Sequence, residues 1–111
     1  MKRLRVLFDS GCAATLINHK FTKHLREKAV STTKWKTKAG KFETNKRCKI
    51  NFTLPKFHEN REIEWKAYVE ESDVKTSRYD MIIGRDLMHE IGIDLLFSEQ
   101  KMQWGNAKIP M

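Results

Sequence analysis

The segment from Val6 to Ile17 constrains the fold of this chain most, because it places one carboxylate between two apolar runs. Val6–Phe8 predicts a buried strand that delivers Asp9 into a Ser-Gly turn. A lone Asp-Ser-Gly triplet is weak evidence, since all three residues are common in turns. A carboxylate at the end of a buried strand, however, must be hydrogen-bonded or paired. The segment therefore predicts either a capped turn without chemistry or a buried, functional carboxylate.

A second motif lies near the other end of the chain. The run Tyr79–Ile83 predicts a buried strand, and a short amphipathic helix is expected over Asp86–Ile91. In retropepsins, the retroviral-type aspartic proteases, a strand ending in two aliphatic residues and glycine passes beside the catalytic loop, and a helix follows it. Asp9–Gly11 together with Ile82–Leu87 therefore resembles a retropepsin. In particular, it is similar to the protease segment of gypsy-type LTR retrotransposon polyproteins.

Three further stretches agree with this resemblance. Lys38–Lys41 stands where such proteases carry the glycine-containing flap, and Ile93–Phe97 resembles the strand after the helix. Residues 104–111 look like the junction that these polyproteins show beyond the protease. The resemblance thus covers nearly the whole chain. It implies a protease domain over residues 1–104 and a C-terminal tail or polyprotein junction over residues 105–111.

The resemblance implies an all-β fold, a small closed β-barrel of the acid-protease type with one or two short helices. The chain holds a single Asp-Ser-Gly triplet, so the second aspartate would come from another copy. The active site would then lie on the two-fold axis of a homodimer. There, the two Asp9 carboxylates would share one proton and activate a water molecule. No metal and no organic cofactor are implied.

The resemblance also assigns roles to individual residues. Asp9 would be the catalytic carboxylate, Ser10 would hydrogen-bond across the dimer, and Gly11 would allow a close backbone approach. The flap tip would close over the substrate and exclude water. The substrate-binding residues that the resemblance implies are Cys12, Ala13, Lys38, Ala39, Gly40, Lys41, Ile82 and Ile83.

Three features depart from the family pattern. Cys12 stands where the family usually has Ala, Ser, Thr or Val, and it adds a thiol beside the site. Ala13 replaces an aspartate that pairs with the arginine after the Ile-Ile-Gly motif in viral enzymes, so Arg85 is expected to lack that partner. Only eight residues precede Asp9. The family has further strands there, so N-terminal strands of the barrel and of the dimer interface are expected to be missing.

Length and composition exclude several classes of protein. The 111 residues predict a single domain. No apolar run approaches the roughly 20 residues that span a membrane, so no membrane partner is expected. Cys12 and Cys48 form neither a disulfide framework nor a zinc site, and they fit reduced residues of an intracellular protein. The expected location is the cytoplasm or a virus-like particle.

Charge is distributed unevenly along the chain. Residues 1–50 carry fourteen Lys and Arg against three Asp and Glu, whereas residues 51–111 carry eight against eleven. The basic stretch from Lys34 to Lys49, with Trp35 and Phe42 interleaved, fits a nucleic-acid footprint, a groove for acidic peptides or a strand face protected by lysines. Lysines alternate at the start of this stretch, which favours the solvated strand face. Nucleic acid is therefore not expected as a partner.

A coarse reading of the remaining pattern predicts mostly strands. Leu16, Ile17, Phe21 and Leu25 recur at near-helical spacing, so a short helix is expected over residues 18–27, with Asn18 as its N-cap. The other predicted elements are strands at Arg5–Phe8, Lys49–Leu54, Glu64–Val69 and Lys101–Trp104, a hairpin of Trp35–Thr37 with Phe42–Cys48, and a polar loop at Glu70–Arg78.

These observations predict an aspartic endopeptidase that acts as a homodimer on peptide bonds, those of a retrotransposon polyprotein. The alternative is a truncated or domesticated barrel without catalysis, serving as a dimerisation or nucleic-acid-binding module. The short N-terminus favours the alternative, and the intact triplet favours the enzyme. A Cys-His nucleophilic pair at Cys12 is not favoured, because no sequence feature places a histidine near it.

Overall fold

The computed structural model of the protein describes residues 3–37, 40–58, 60–71 and 79–111. Within these ranges the chain is mostly β-structure with one α-helix. The strands are β1 Val6–Phe8, β2 Leu16–Asn18, β3 Glu27–Thr37, β4 Gly40–Thr53, β5 Glu62–Glu70, β6 Met81–Ile83, β7 Ile93–Leu96, β8 Lys101–Trp104 and β9 Ala107–Pro110. The helix α1 spans Arg85–Ile91, and 3-10 turns lie at His19–Phe21 and Phe97–Glu99.

Six strands form one sheet in the order β1-β6-β2-β5-β4-β3. Strand β1 runs parallel to β6, with Phe8 opposite Ile83, whereas β2 runs antiparallel to β6, with Leu16 opposite Ile82. Strand β6 therefore lies between the two strands that flank the Asp-Ser-Gly turn. The loop 9–15 has to cross the carboxyl end of β6, which brings the two sequence motifs together.

The last three strands form a separate antiparallel sheet in the order β7-β8-β9. Within the segment that the sequence analysis assigns to a tail or junction, Ala107–Pro110 forms β9 and pairs with β8. The two-residue turn between these strands contains Gly105 at a φ of 61°. Glycine adopts this left-handed conformation without the steric cost that other residues meet there.

A continuous apolar core connects the two sheets and the helix. The ring of Phe57 lies edge-on to Phe8 of β1 at 6.2 Å and to Trp104 of β8 at 6.0 Å between ring centroids. Leu87 of α1 is fully buried in the same core. Burying such side chains stabilises the fold by roughly 1.5–3 kcal/mol each. The carboxyl end of β1, where Asp9 lies, is thereby anchored to the centre of the molecule.

Two expectations about the architecture need correction. No closed barrel is found among the described residues, because β1 and β3 end the six-stranded sheet as edges and β7, β8 and β9 pair only with one another. The prediction of a helix over residues 18–27 is wrong. Asn18 does cap a turn by accepting the Lys20 N–H, but the turn ends at Thr22, whose backbone N–H and hydroxyl both bond the His19 carbonyl.

The basic stretch lies on the long hairpin of β3 and β4, where several lysines face glutamates. Lys34 pairs with Glu43 of the neighbouring strand, and Lys49 pairs with Glu64. These contacts match the interpretation of a solvated strand face. No α-helix in the described part of the chain is long and apolar enough to cross a membrane.

Candidate active site

Asp9 occupies the first position after β1, as the sequence predicts. Its backbone N–H donates to the carbonyl of Ile83 at 3.0 Å, which continues the parallel β1–β6 pairing by one residue. Only 1 % of its surface is exposed. Because a buried carboxylate requires hydrogen-bond donors, the turn that follows determines whether this position is stable.

The Asp-Ser-Gly turn supplies such a donor from its own backbone. The Gly11 N–H donates to Oδ1 of Asp9 at 2.9 Å, and the Cys12 N–H donates to the Asp9 carbonyl at 3.1 Å. A Cβ atom at Gly11 would lie 3.1 Å from the same Oδ1, which is tighter than most carbon–oxygen contacts. Glycine therefore lets the backbone approach the carboxylate closely. Ser10, which lies between Asp9 and Gly11 in the turn, is half-buried.

The crossing over β6 depends on Gly84. A Cβ atom there would overlap the carbonyl of Ala14 and would lie 2.8 Å from the carbonyl oxygen of Cys12. The φ of Gly84 is −92°, so close packing rather than backbone conformation requires glycine. Its N–H donates to the hydroxyl of Thr15 at 3.2 Å.

The same loop completes the hydrogen bonding of helix α1. The first N–H groups of a helix lack partners within the helix, and Gly84 at the N-cap has no side chain to supply one. The Arg85 N–H donates to the Cys12 carbonyl at 2.8 Å, and the Asp86 N–H donates to the Ala13 carbonyl at 3.2 Å. The loop and the helix therefore stabilise each other.

Cys12 is buried directly behind the turn. Its thiol donates to the carbonyl of Ala14 at 3.1 Å, and 1 % of the residue is exposed. Burial raises the pKa of the Cys12 thiol, and the nearby charges of Asp9 and Asp86 raise it further. The thiol is therefore kept protonated, whereas a cysteine nucleophile needs the thiolate form.

The expected substrate-binding residues separate into several environments. Cys12 and Ile82 pack together with Leu16 in a small apolar cluster. Ile83 points into the main core instead and is fully buried, because successive residues of a strand face opposite sides of the sheet. Ala13 is exposed beside the turn.

The expected flap lies at the tip of the β3–β4 hairpin. Lys38 and Ala39 fall outside the described residues. Gly40 pairs with Thr37 at the start of β4, and Lys41 is exposed. The structure therefore describes the base of this hairpin.

Two aromatic residues that the sequence analysis did not assign to the site join the hairpin to it. Trp35 of β3 and Tyr68 of β5 pack against the Cys12–Leu16–Ile82 cluster, with their rings 5.0 Å apart. The indole N–H of Trp35 donates to the Thr44 hydroxyl at 2.8 Å. In the sequence, Trp35 stands between Lys34 and Lys36, and this alternation of charged and apolar residues is the signal that could have placed Trp35 on the inner face of the strand.

The described charged groups near the site form no cluster that resembles a metal centre. Within the residues that the structure describes, no three His, Cys, Asp or Glu side chains lie close enough to hold a metal ion. The chemistry that this geometry can carry out is that of a buried carboxylate whose orientation is fixed by a backbone N–H.

Comparison with known proteins identifies the fold. No protein-family profile and no curated protein matches this chain. Among solved structures, the chain is similar to the crystal structure of the retroviral protease-like domain of Ddi1 from Leishmania major, with a TM-score of 0.58 and 15 % sequence identity. The match covers 96 % of this chain and 82 % of that one. The chain therefore has a retroviral protease-like fold.

Proposed function

We propose that this protein is an aspartic endopeptidase of the retropepsin type, active as a homodimer. The observation that carries the proposal is the position of Asp9, a buried carboxylate held by the Gly11 N–H at the end of β1 in a retroviral protease-like fold. One chain contributes one such carboxylate. A second copy related by a two-fold axis would bring the second Asp9 beside the first.

The proposed reaction is hydrolysis of a peptide bond by a water molecule between the two Asp9 carboxylates. Two carboxylates within hydrogen-bonding distance of each other cannot both ionise, so they share one proton. The charged Asp9 takes a proton from the water as the water oxygen attacks the carbonyl carbon of the peptide. At the same time the protonated Asp9 donates its proton to the carbonyl oxygen. One hydroxyl of the resulting gem-diol then gives its proton to the charged Asp9 as the C–N bond breaks. The leaving amine takes the proton of the other Asp9, which restores the dyad.

The turn and its surroundings would orient the reactants. The Gly11 N–H fixes Oδ1 of Asp9. In the proposed dimer this oxygen would face the two-fold axis, and Ser10 would bond across that axis. Peptide binding would involve Ala13 and the apolar cluster of Cys12 and Ile82, covered by the Lys38–Lys41 tip. We propose a polyprotein of a gypsy-type LTR retrotransposon as substrate, processed in the cytoplasm or in a virus-like particle.

Asp9→Asn tests the proposed function. Asparagine keeps the shape of the side chain and its ability to accept the Gly11 N–H, but it cannot ionise and take the proton from water. Peptide cleavage should fall by about a thousandfold or more, while urea unfolding and sedimentation change little. Asp94→Asn, at an exposed position of β7, is the matched control and should cleave like the parent.

The same experiment tests the non-catalytic alternative. If Asp9→Asn cleaves as fast as the parent, the aspartic mechanism is wrong. A parent protein that dimerises but cleaves no peptide between mildly acidic and neutral pH would support a dimerisation module instead. Inhibition by a statine peptide, which mimics the tetrahedral transition state, should accompany true aspartic catalysis.

A further inference from the structure

Asp86 accepts a set of hydrogen bonds behind the candidate active site. It lies in the first turn of α1 and is half-buried. Its Oδ1 accepts from the Thr15 hydroxyl at 2.8 Å and from the Leu87 N–H at 2.7 Å. Its Oδ2 accepts from the Thr15 N–H and from the indole N–H of Trp65, both at 3.2 Å. These donors belong to the loop, the helix and β5.

This set of partners requires a carboxylate. The Thr15 hydroxyl accepts the Gly84 N–H, so its own proton is directed to Asp86. The four groups that hydrogen-bond the Asp86 side chain among the described residues are therefore all donors, and a carboxylate is the side chain that accepts on both oxygens. In asparagine, the amide nitrogen would face at least one backbone or indole N–H in either orientation.

The contacts of Asp86 continue to the Asp9 turn through the backbone. Its side chain holds Thr15, which is fully buried, and its N–H bonds the carbonyl of Ala13. The adjacent Arg85 N–H bonds the carbonyl of Cys12, whose own N–H bonds the carbonyl of Asp9. The segment from Ala13 to Thr15 is therefore held by the start of α1 on one side and continues directly into the turn that carries the Asp9 carboxylate on the other.

We propose that Asp86 is a positioning residue, whose carboxylate fixes the loop 9–15 and thereby the orientation of Asp9. The catalytic consequence rests on the proposed function, whereas the fixing of the loop does not. Loss of the Asp86 contacts should loosen the loop while the core, which Asp86 does not enter, stays folded. A small displacement of a catalytic group lowers kcat more than substrate affinity.

Cys12 provides a readout of the loop that is independent of activity. It lies within the loop, and Cys48 on β4 is an equally buried internal reference. The experiment measures alkylation of each thiol by iodoacetamide with mass spectrometry in the full chain. Asp86→Asn should accelerate labelling of Cys12 relative to Cys48 by about tenfold, because local opening exposes only the loop.

Thr15 supplies a second pair of variants that leaves Asp86 charged. Thr15→Val removes the hydroxyl bond to Asp86 and leaves the Gly84 N–H without its acceptor, whereas Thr15→Ser keeps both bonds. Thr15→Val should therefore accelerate Cys12 labelling, and Thr15→Ser should retain the slow labelling of the parent. This pair separates loosening of the loop from the loss of the Asp86 charge, which by itself lowers the pKa of Cys12.

Kinetics complete the test. In Asp86→Asn and Thr15→Val, kcat for peptide hydrolysis should fall about tenfold to a hundredfold with a smaller change in KM, and Thr15→Ser should restore it. Unchanged Cys12 labelling in both variants would overturn the proposal, as would equal acceleration at Cys12 and Cys48, which indicates global unfolding. If the parent cleaves no peptide, the proposed function fails, and the labelling ratio still decides the role of Asp86.

Discussion

The parallel pair of β1 and β6 is closed in different ways at its two ends. At the carboxyl end, the chain crosses over Gly84, and backbone N–H and carbonyl groups are paired within a nearly solvent-free contact. At the amino end, Arg5 and Asp80 meet near the surface, where the guanidinium is 3.2 Å from a carboxylate oxygen and the Arg5 side chain is 64 % exposed. One end depends on close packing, and the other depends on charge.

The difference matches what the proposed function requires of each end. A catalytic carboxylate must be held within a fraction of an ångström, and close-packed backbone contacts achieve this because they resist deformation. A surface ion pair tolerates movement and contributes little net stability. Substitutions at the carboxyl end should therefore lower stability or activity far more than substitutions at the amino end, and at the Asp9 turn the loss should appear mainly in activity.

Gly84→Ala should have the largest effect on stability. Its methyl group would overlap the Ala14 carbonyl, and backbone cannot move aside as a flexible side chain would. We expect a loss of about 3 kcal/mol in the free energy of unfolding, measured by urea denaturation. Gly92→Ala is the matched control, since a Cβ there meets no atom within 4 Å and costs only the strain of a φ of 79°, about 1 kcal/mol. Equal losses in the two variants would contradict close packing at Gly84.

Gly11→Ala should affect activity more than stability. The methyl group would lie 3.1 Å from Oδ1 of Asp9, so a shift of a few tenths of an ångström relieves the contact but turns the carboxylate. We expect a loss of about 1 kcal/mol in unfolding free energy and a decrease of roughly a hundredfold in kcat. Peptide kinetics and urea denaturation on the same preparation would separate the two effects. The prediction is wrong if Gly11→Ala loses as much unfolding free energy as Gly84→Ala and its kcat falls no further than that of Gly84→Ala. That outcome would place the strain in the backbone instead of at the carboxylate.

The sequence allowed the carboxyl end to be predicted in outline. An apolar run before Asp9 and another before Gly84 located both motifs, and the helix and β8 followed from local periodicity. Periodicity failed at residues 18–27, because Phe21 and Leu25 reach the core from a turn rather than from a helix. Strand β9 was not predicted although Ala107 and Ile109 alternate with Lys108 and a two-residue turn starting with Gly105 is a hairpin signal. The family resemblance had assigned this segment to a tail or junction.

The contacts that hold the site were harder to predict. Thr15 and Asp86 are 71 residues apart, and their hydrogen bond depends on the strand order that brings β6 between β1 and β2. No local pattern encodes such a pair, since an aspartate in the first turn of a helix is common for reasons of helix polarity alone. The absence of barrel closure among the described strands is likewise a property of the pairing order, which a single sequence does not specify.

Asp80→Asn at the amino end should have the smallest effect, and pH provides its signature. Burial disfavours the charged form of Asp80, but the backbone N–H and guanidinium of Arg5 outweigh this effect, so the pKa of the Asp80 carboxyl lies below its ordinary value. A carboxylate with a lowered folded pKa stabilises the protein above its unfolded pKa, and this contribution disappears as the pH falls through the folded value. At pH 7 the free energy of unfolding of the parent should therefore exceed that of Asp80→Asn by less than about 1 kcal/mol. The difference is small because the pair is partly exposed and asparagine still accepts the Arg5 N–H. Urea unfolding of both proteins from pH 7 down to about pH 2 should show the difference shrinking to zero. A difference that persists at the acid end, or that grows there, would mean that Asp80 acts through packing and that charge does not distinguish the two ends.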